Sequence, residues 1–203
     1  MSSKPLILAS QSPRRAELLR QIGVEFRVQT ADIDESPMAK ELPLVYLRRM
    51  AESKARAVQS TLNPDQQNSS PVILAADTIG DLDGEVLIKP RDRDDALAML
   101  QRMSARGHTV ATGVCVLSGD KCDYIEVKTQ VRFRALSEQE ILRYWDSGEP
   151  RDKAGAYGIQ GLGAVFVESI EGSYSNVVGL PLCETASLLQ NAGVAFWQPL
   201  NAD

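Results

Sequence analysis

This chain is poor in the residues that carry most nucleophilic, thiolate-metal and nucleic-acid chemistry. It holds one histidine, His108, in 203 residues. Catalysis through a paired histidine therefore has a single possible position, and no His/Cys set has zinc-ligand spacing. His108 reads as a strand-edge residue. The cysteines are only three (Cys115, Cys122 and Cys183) and widely spaced. An odd, scattered set fits reduced, mostly buried thiols better than a disulfide framework. Basic residues are outnumbered, 22 Lys and Arg against 27 Asp and Glu, for a net charge of −5. That balance argues against nucleic acid or an anionic membrane surface as a partner, because both require basic surfaces. Long apolar runs are missing too: none approaches a signal sequence's core or a membrane span. The residues after Met1 lead straight into a strand, and the expected location is the cytoplasm.

What is present is a mixed α/β pattern with 43% hydrophobic residues, enough for a real core. The length suits one large domain or two small lobes. The first informative stretch runs from Leu6 to Arg20. Leu6 to Ala9 reads as a short buried strand, and Ser10-Gln11-Ser12 as a polar turn. Pro13 suits the first helical position, where its missing N–H costs nothing. Ser12 before it is a good N-cap. Leu18, Leu19 and Ile22 give the helix an apolar face. Arg14 and Arg15 then fall in the first turn, against the helix dipole. They are either solvated helix residues or an anion site built with the amides of the helix start.

Gly23 stops that helix, and a second strand is expected over roughly Glu25 to Gln29. The loop Ala31-Asp-Ile-Asp-Glu-Ser-Pro37 places three carboxylates within four residues. It is either a solvated acidic loop or a site for a hard cation. Residues 42 to 61 read as a helix with Leu47, Ala51, Ala55 and Val58 on one stripe. Lys54 falls on the same stripe. It either snorkels to the rim or reaches into a cleft toward an anion. Asn63 to Ser70 reads as a surface loop.

Pro71 to Ala76 reads as a buried strand running into Asp77-Thr78, where an acidic group needs a partner. Asp83-Gly84 is a two-residue hairpin turn, and Glu85 to Ile88 returns to Lys89-Pro90. Hairpin geometry brings Asp77 and Lys89 within range of an ion pair. Arg91 to Asp95 is a charged run opening a helix that reaches about Ser104. Strands are expected over His108 to Leu117 and Asp123 to Arg134. In the second of these, Val127, Thr129, Val131 and Phe133 share a face. Ser137-Glu-Gln-Glu140 is a capping box for a helix ending near Gly148. The region from 149 to 181 is rich in glycine (Gly155, Gly158, Gly161, Gly163, Gly172, Gly179) without the strand and helix order of a dinucleotide fingerprint. There glycine serves tight turns and close backbone approach. Ala164 to Ile170 reads as a strand, Pro181 to Gln190 as the last helix closed by Gly193, and Phe196 to Asp203 as a loosely held tail.

Seven segments in this order resemble the Maf family of nucleotide pyrophosphatases. They are Leu8-Ala-Ser-Gln-Ser-Pro-Arg-Arg15, Glu52-Ser-Lys-Ala55, Ala76-Asp-Thr78, Lys89-Pro90, Thr129-Gln-Val-Arg-Phe133, Asp152-Lys-Ala-Gly-Ala-Tyr-Gly-Ile-Gln-Gly161 and Gly172-Ser-Tyr-Ser-Asn-Val-Val-Gly-Leu-Pro181. The resemblance covers nearly the whole chain. It implies one α/β domain over 1–203: a mixed twisted sheet with flanking helices, two lobes around a cleft and no separable linker, related to the inosine-triphosphate pyrophosphatase architecture. It implies hydrolysis of a nucleoside triphosphate to the monophosphate and pyrophosphate with a divalent metal, a homodimer, and a link to septum formation. Arg14, Thr78 and Gln160 match the branch that resembles dTTP/UTP pyrophosphatases; the 7-methyl-GTP branch tends to carry Trp, Gln and Glu there. Two departures stand out. Ala75-Ala76-Asp77 replaces the common Gly-Ala-Asp, and Gly80 stands where a β-branched residue is usual; a glycine inside a strand costs about 0.5–1 kcal/mol relative to alanine and can mark a bulge.

Such a reaction needs the triphosphate charge neutralised, a water oriented and the leaving pyrophosphate stabilised. Arg14, Arg15, Lys54 and Lys89 are assigned to the phosphates, with Ser10, Ser12 and the turn amides as further donors. Glu35 and Asp77 are assigned to Mg²⁺ or Mn²⁺, which prefer oxygen ligands. The resemblance makes Asp77 the group that orients or deprotonates the attacking water. Thr78 and Gln160 are the proposed readers of the base; an amide offers both donor and acceptor to the edge shared by thymine and uracil. Two other functions stay open on sequence alone: a non-catalytic nucleotide-binding regulator of septum formation, and a pyrophosphatase acting mainly on modified nucleotides.

Overall fold

Alternating apolar runs and amphipathic stripes fold into a mixed sheet with helices. The computed structural model describes residues 3–30 and 32–198. In chain order its elements are β1 (Leu6–Leu8), α1 (Pro13–Gln21), β2 (Arg27–Val28), α2 (Pro43–Ser60), α3 (Pro64–Asn68), β3 (Val72–Leu82), β4 (Glu85–Leu87), α4 (Arg93–Met103), β5 (Gly107–Ser118), β6 (Lys121–Phe133), α5 (Glu138–Asp146), β7 (Val167–Glu171), α6 (Tyr174–Val178) and α7 (Leu182–Ala192). Short 3₁₀ turns lie between α5 and β7. The seven strands run in the order β2-β1-β3-β5-β6-β7, with β4 paired to β3. Among the described residues, no helix is long and apolar enough to cross a membrane. Ala31 of the acidic loop and residues 199–203 of the expected tail lie outside the described residues.

The chain forms two compact units. The first holds the residues up to Asp77, then Thr112–Val127 and those from Gly179; the second holds Thr78–Ala111 and Lys128–Val178. In the first unit β1 pairs in parallel with both β2 (Ile7 opposite Arg27) and β3 (Ile7 opposite Ile73). The stripe of α2 behaves as its spacing requires: Leu47, Ala51, Ala55 and Val58 are fully buried. Ala51, Ala55 and Val58 pack with Ile7, Ala9, Ile73 and Ala75 of the sheet. Each such branched side chain contributes about 1.5–3 kcal/mol on burial. α1 starts at Pro13 after an extended Ser12, but the Ser12 hydroxyl makes no cap bond, contrary to the sequence expectation. Gly23 closes the helix with φ +64°, and a Cβ there would come within 2.4 Å of the Gln198 carbonyl oxygen. β2 is only two residues long, shorter than expected. The segment read as a loop contains α3, because Asn63 and Gln66 form a reciprocal capping box just before and after Pro64.

In the second unit β3 and β4 form the expected hairpin, Leu82 opposite Glu85. Asp83 (φ 58°) and Gly84 (φ 84°) both take the left-handed conformation that a type I′ turn demands. Gly80 does not mark a bulge against β4. Gly80 pairs directly with Leu87, and a Cβ at Gly80 would lie 3.0–3.1 Å from that side chain, so the glycine makes room for a buried leucine. Capping follows the sequence: Asp92 accepts from the Asp95 amide on α4, and Ser137 with Glu140 boxes the start of α5. β7 starts at Val167, later than expected, because Ala164 to Phe166 belongs to a 3₁₀ turn; α6 was not foreseen. His108, expected at a strand edge, is the second residue of β5 and lies in the core. It is 2% exposed, edge-on to the rings of Phe133 and Tyr157, with Nε2 2.8 Å from the Tyr157 hydroxyl. Burial lowers its pKa to about 4.

Candidate functional site

The turn from β1 into α1 builds the first part of the site. Buried Ser10 sits where the strand ends, and its Oγ accepts from the Ser12 amide (3.2 Å) and from Arg15 Nη1 (3.1 Å). With both lone pairs engaged, the Ser10 proton is left to donate outward. Arg15 Nε donates to the Gly179 carbonyl at 2.8 Å, so its guanidinium is anchored before any ligand arrives. Burial lowers the Arg15 pKa, while the charges of Asp77 and Glu35 oppose that and Arg14 adds to it. An arginine remains charged through such a shift. Arg14, half-buried beside it, has no ion pair among the described residues.

α2 supplies the second part. The Lys54 ammonium lies 2.9 Å from Asp77 Oδ1 and 3.0 Å from Glu35 Oε1. Lys54 and Asp77 are each only 15% exposed, whereas Glu35 is 58% exposed. Of the two readings open for a lysine on an apolar stripe, Lys54 takes the one that meets anions, and those anions are the protein's own carboxylates. Asp77 thus finds its partner in Lys54. It also sits inside β3 and not at its end, since the strand continues to Leu82.

The acidic loop is tied down by residues that sequence reasoning did not single out. Arg49 makes a two-point bond to Glu41 (both 2.6 Å) and donates to the Ser36 carbonyl (3.0 Å). Tyr46 donates to the Glu35 carbonyl at 3.0 Å. The Arg49 bonds, with the Met38 amide, hold the Glu41 carboxyl down at about 2. Burial, helped by the charges of Asp77 and Glu35, pushes the Tyr46 hydroxyl up to about 12. Tyr46 and Arg49 are three apart on α2 and so share a face, but nothing local in the sequence says that this face meets the loop.

Among the described residues no group of three or more His, Cys, Asp or Glu side chains is placed to hold a metal by itself. The donor chemistry nevertheless suits one class of ion. Two carboxylates converge on one nitrogen, and Mg²⁺ is commonly held by one or two carboxylates plus substrate phosphates and waters. Glu35 and Asp77 fit that partial set, with the rest left to a phosphorylated ligand.

The second unit carries the other expected site residues. Thr78, half-buried, follows Asp77 in β3. Lys89 is exposed just past β4. Gln160 is exposed on a turn, and its amide has no hydrogen-bond partner among the described residues. The Gly155 amide donates to the Ile88 carbonyl at 3.1 Å, tying the glycine-rich segment to the hairpin end beside Lys89.

Residues 5–192 match the model of the Maf-like protein family. The chain belongs to the Maf family. It is 53% identical over 192 residues to a dTTP/UTP pyrophosphatase of Hahella chejuensis, covering 95% of this chain and 94% of that protein. A dTTP/UTP pyrophosphatase of Pseudoalteromonas atlantica is 52% identical (94% and 98% covered), and one of Myxococcus xanthus is 51% identical (93% of each). Two Maf segments to which the sequence assigned no chemistry acquire a structural role. Thr129 Oγ1 donates to the Ser173 carbonyl and accepts from the Ser173 amide and from Asn176 Nδ2. Asn176, fully buried, also donates to the Val110 carbonyl at 3.0 Å. Gly172, with φ +124°, lets the chain pass within reach of Thr129. These Maf segments form a polar knot inside the second unit.

Proposed function

We propose that this protein hydrolyses dTTP and UTP to the monophosphate and pyrophosphate. The observation that carries the reading is the sharing of one half-buried ammonium, Lys54, by Asp77 and Glu35 in the unit that also anchors Arg15 and Ser10. The name borne by relatives about half identical over nearly the full chain supports it. Arg15, Arg14, Lys54 and Lys89 bind the triphosphate, and the hydroxyls of Ser10 and Ser12 with amides of the turn add neutral donors. On arrival of phosphate oxygens, Lys54 exchanges carboxylate for phosphate. Asp77 is then free to orient a water and accept its proton while the water oxygen bonds to the α-phosphorus. The bond from the α-phosphorus to the bridging oxygen breaks, and its electrons leave with pyrophosphate. Glu35 and Asp77 would hold a divalent cation, which would supply charge neutralisation for the leaving group. Arg14, Thr78 and Gln160 select the pyrimidine base. Removal of non-standard nucleotides in the cytoplasm by a homodimer is the cellular role we attach to this chemistry, on the family resemblance.

The test is product analysis. With Mg²⁺ or Mn²⁺, the protein releases pyrophosphate, not orthophosphate, from dTTP and UTP far faster than from dATP or dGTP. Asp77→Asn lowers kcat by about 10²–10⁴, the range for a lost general base, without loss of the folded state. Orthophosphate as first product, or an active Asp77→Asn protein, overturns the mechanism. Light scattering at assay concentration tests the dimer.

A further inference from the structure

We infer that Glu149 and Tyr144 are positioning residues for base selection, acting through the turn that presents Gln160; the inference rests on the base-reading role proposed for Gln160. Gln160 is exposed, and its side chain makes no hydrogen bond among the described residues. Its placement therefore depends on the backbone around it, and that backbone is held from one side by two groups. Glu149 Oε2 accepts from the Leu162 amide at 2.8 Å, and Oε1 accepts from the Gly163 amide at 3.1 Å. The Tyr144 hydroxyl donates to Glu149 Oε1 at 2.8 Å and accepts from the Gly158 amide at 3.0 Å. The turn is thus clamped two residues before Gln160 and two and three residues after it. The Leu162 and Gly163 amides are held by charge-assisted bonds to the carboxylate, which are stronger than neutral ones.

The glycines of this segment have a defined purpose here. A Cβ on Gly161 would lie 2.2 Å from Glu149 Oε2, and one on Gly163 would lie 2.7 Å from the Tyr144 hydroxyl. The carboxylate and phenol rest directly against the backbone where side chains would stand. The clamp is itself braced. Lys153 Nζ donates to the Glu149 carbonyl at 2.6 Å and pairs with Asp152 at 2.8 Å. Tyr144 packs its ring edge-on against Phe166. Neither Glu149 nor Tyr144 is among the groups assigned to phosphate, metal or water.

The experiment compares kcat and KM for pyrophosphate release from dTTP, UTP and dCTP in Tyr144→Phe, Glu149→Gln, Gln160→Ala and the double variant of the last two, each checked for folding by thermal denaturation. A glutamine at 149 turns an NH₂ toward one of the clamped amides, whichever way it flips; a phenylalanine at 144 removes the bridge to Gly158. Both variants lower the dTTP preference over dCTP by about tenfold, the worth of one hydrogen bond to the base. The loss falls in KM for dTTP, with kcat held within about twofold, as for an interaction made equally in ground and transition states. In the Gln160→Ala background, Glu149→Gln removes no further preference, because its effect runs through Gln160. If the folded Tyr144→Phe and Glu149→Gln proteins keep the parent preference, or if the loss recurs in full without Gln160, the positioning role is wrong. If Gln160→Ala alone leaves the preference intact, the base-reading role fails, and the positioning role falls with it. Should Glu149→Gln fail to fold, Tyr144→Phe carries the test alone.

Discussion

Replacing Lys54 with methionine should make the metal-free, nucleotide-free protein bind a divalent cation more tightly while making it a poorer enzyme. The ammonium lies within 3.0 Å of a carboxylate oxygen of both Asp77 and Glu35. A divalent ion bonded to either oxygen at about 2.1 Å stands at most about 5 Å from that nitrogen. The repulsion between a single and a double positive charge at that distance is about 1.7 kcal/mol even with the dielectric of bulk water, roughly 15-fold in affinity. Lys54 and Asp77 are half-buried, which strengthens the repulsion at Asp77, while Glu35 is exposed and screened by water. Methionine keeps the apolar stem that rests on the α2 stripe. Loss of two charge-assisted bonds from Asp77 and Glu35 costs about 1–3 kcal/mol, so melting points should be checked and titrations run well below them. Mn²⁺ binding followed by electron paramagnetic resonance, without nucleotide, should tighten by about 15-fold or more. In the same protein kcat/KM for dTTP should fall by at least about tenfold, as a phosphate-binding cation is gone. Unchanged or weaker Mn²⁺ binding would refute the claim that lysine and metal share these two carboxylates.

Two further outcomes concern the second unit. His108 is 2% exposed and its pKa is lowered to about 4 by burial, from an ordinary 6.5. Between pH 6.5 and 4 the unfolded chain therefore binds a proton that the native state does not. Stability should fall as pH drops through that window, by about 3 kcal/mol in all, and level off below it. Urea midpoints of the parent and His108→Gln at pH 7, 5.5 and 4 should diverge accordingly, and parallel curves would contradict it. Asn176→Ala removes a fully buried amide that bonds Val110 and Thr129. It should destabilise the protein by about 2–4 kcal/mol, read as a shifted denaturation midpoint; a shift under about 0.5 kcal/mol would dissolve the polar knot as a stabilising feature.

Local chemistry sufficed for much of this molecule, because local rules were enough there. The start of α1 at Pro13, the Asp83-Gly84 turn, the capping box at Ser137 and the buried stripe of α2 each depend on residues within one or two turns of one another. Glycine and proline settle backbone angles regardless of context. Where competing local signals existed, reading failed: Asn63 with Gln66 makes a helix of what looked like a loop, and Gly80 accommodates Leu87 and makes no bulge. The resemblance in motif order reached further, to the family itself, since seven ordered segments are far more specific than any spacing.

Other features depended on which distant residues meet. Lys54 on its stripe had two readings, and only the convergence of α2, β3 and the acidic loop placed both carboxylates on its nitrogen. Arg49 and Tyr46 hold that loop by bonds that no periodicity announces. His108 proved to be a core group because Phe133 and Tyr157 close over it. The amino-acid sequence by itself determined the capping box of α5, the Asp83-Gly84 turn, the buried stripe of α2 and the inventory of cations and carboxylates, all of which are short-range or compositional. Only the tertiary structure decided which carboxylate takes which cation, and that Glu149 and Tyr144 brace the turn bearing Gln160, because those pairings join groups far apart along the chain or across a reversal of the backbone that no local propensity encodes.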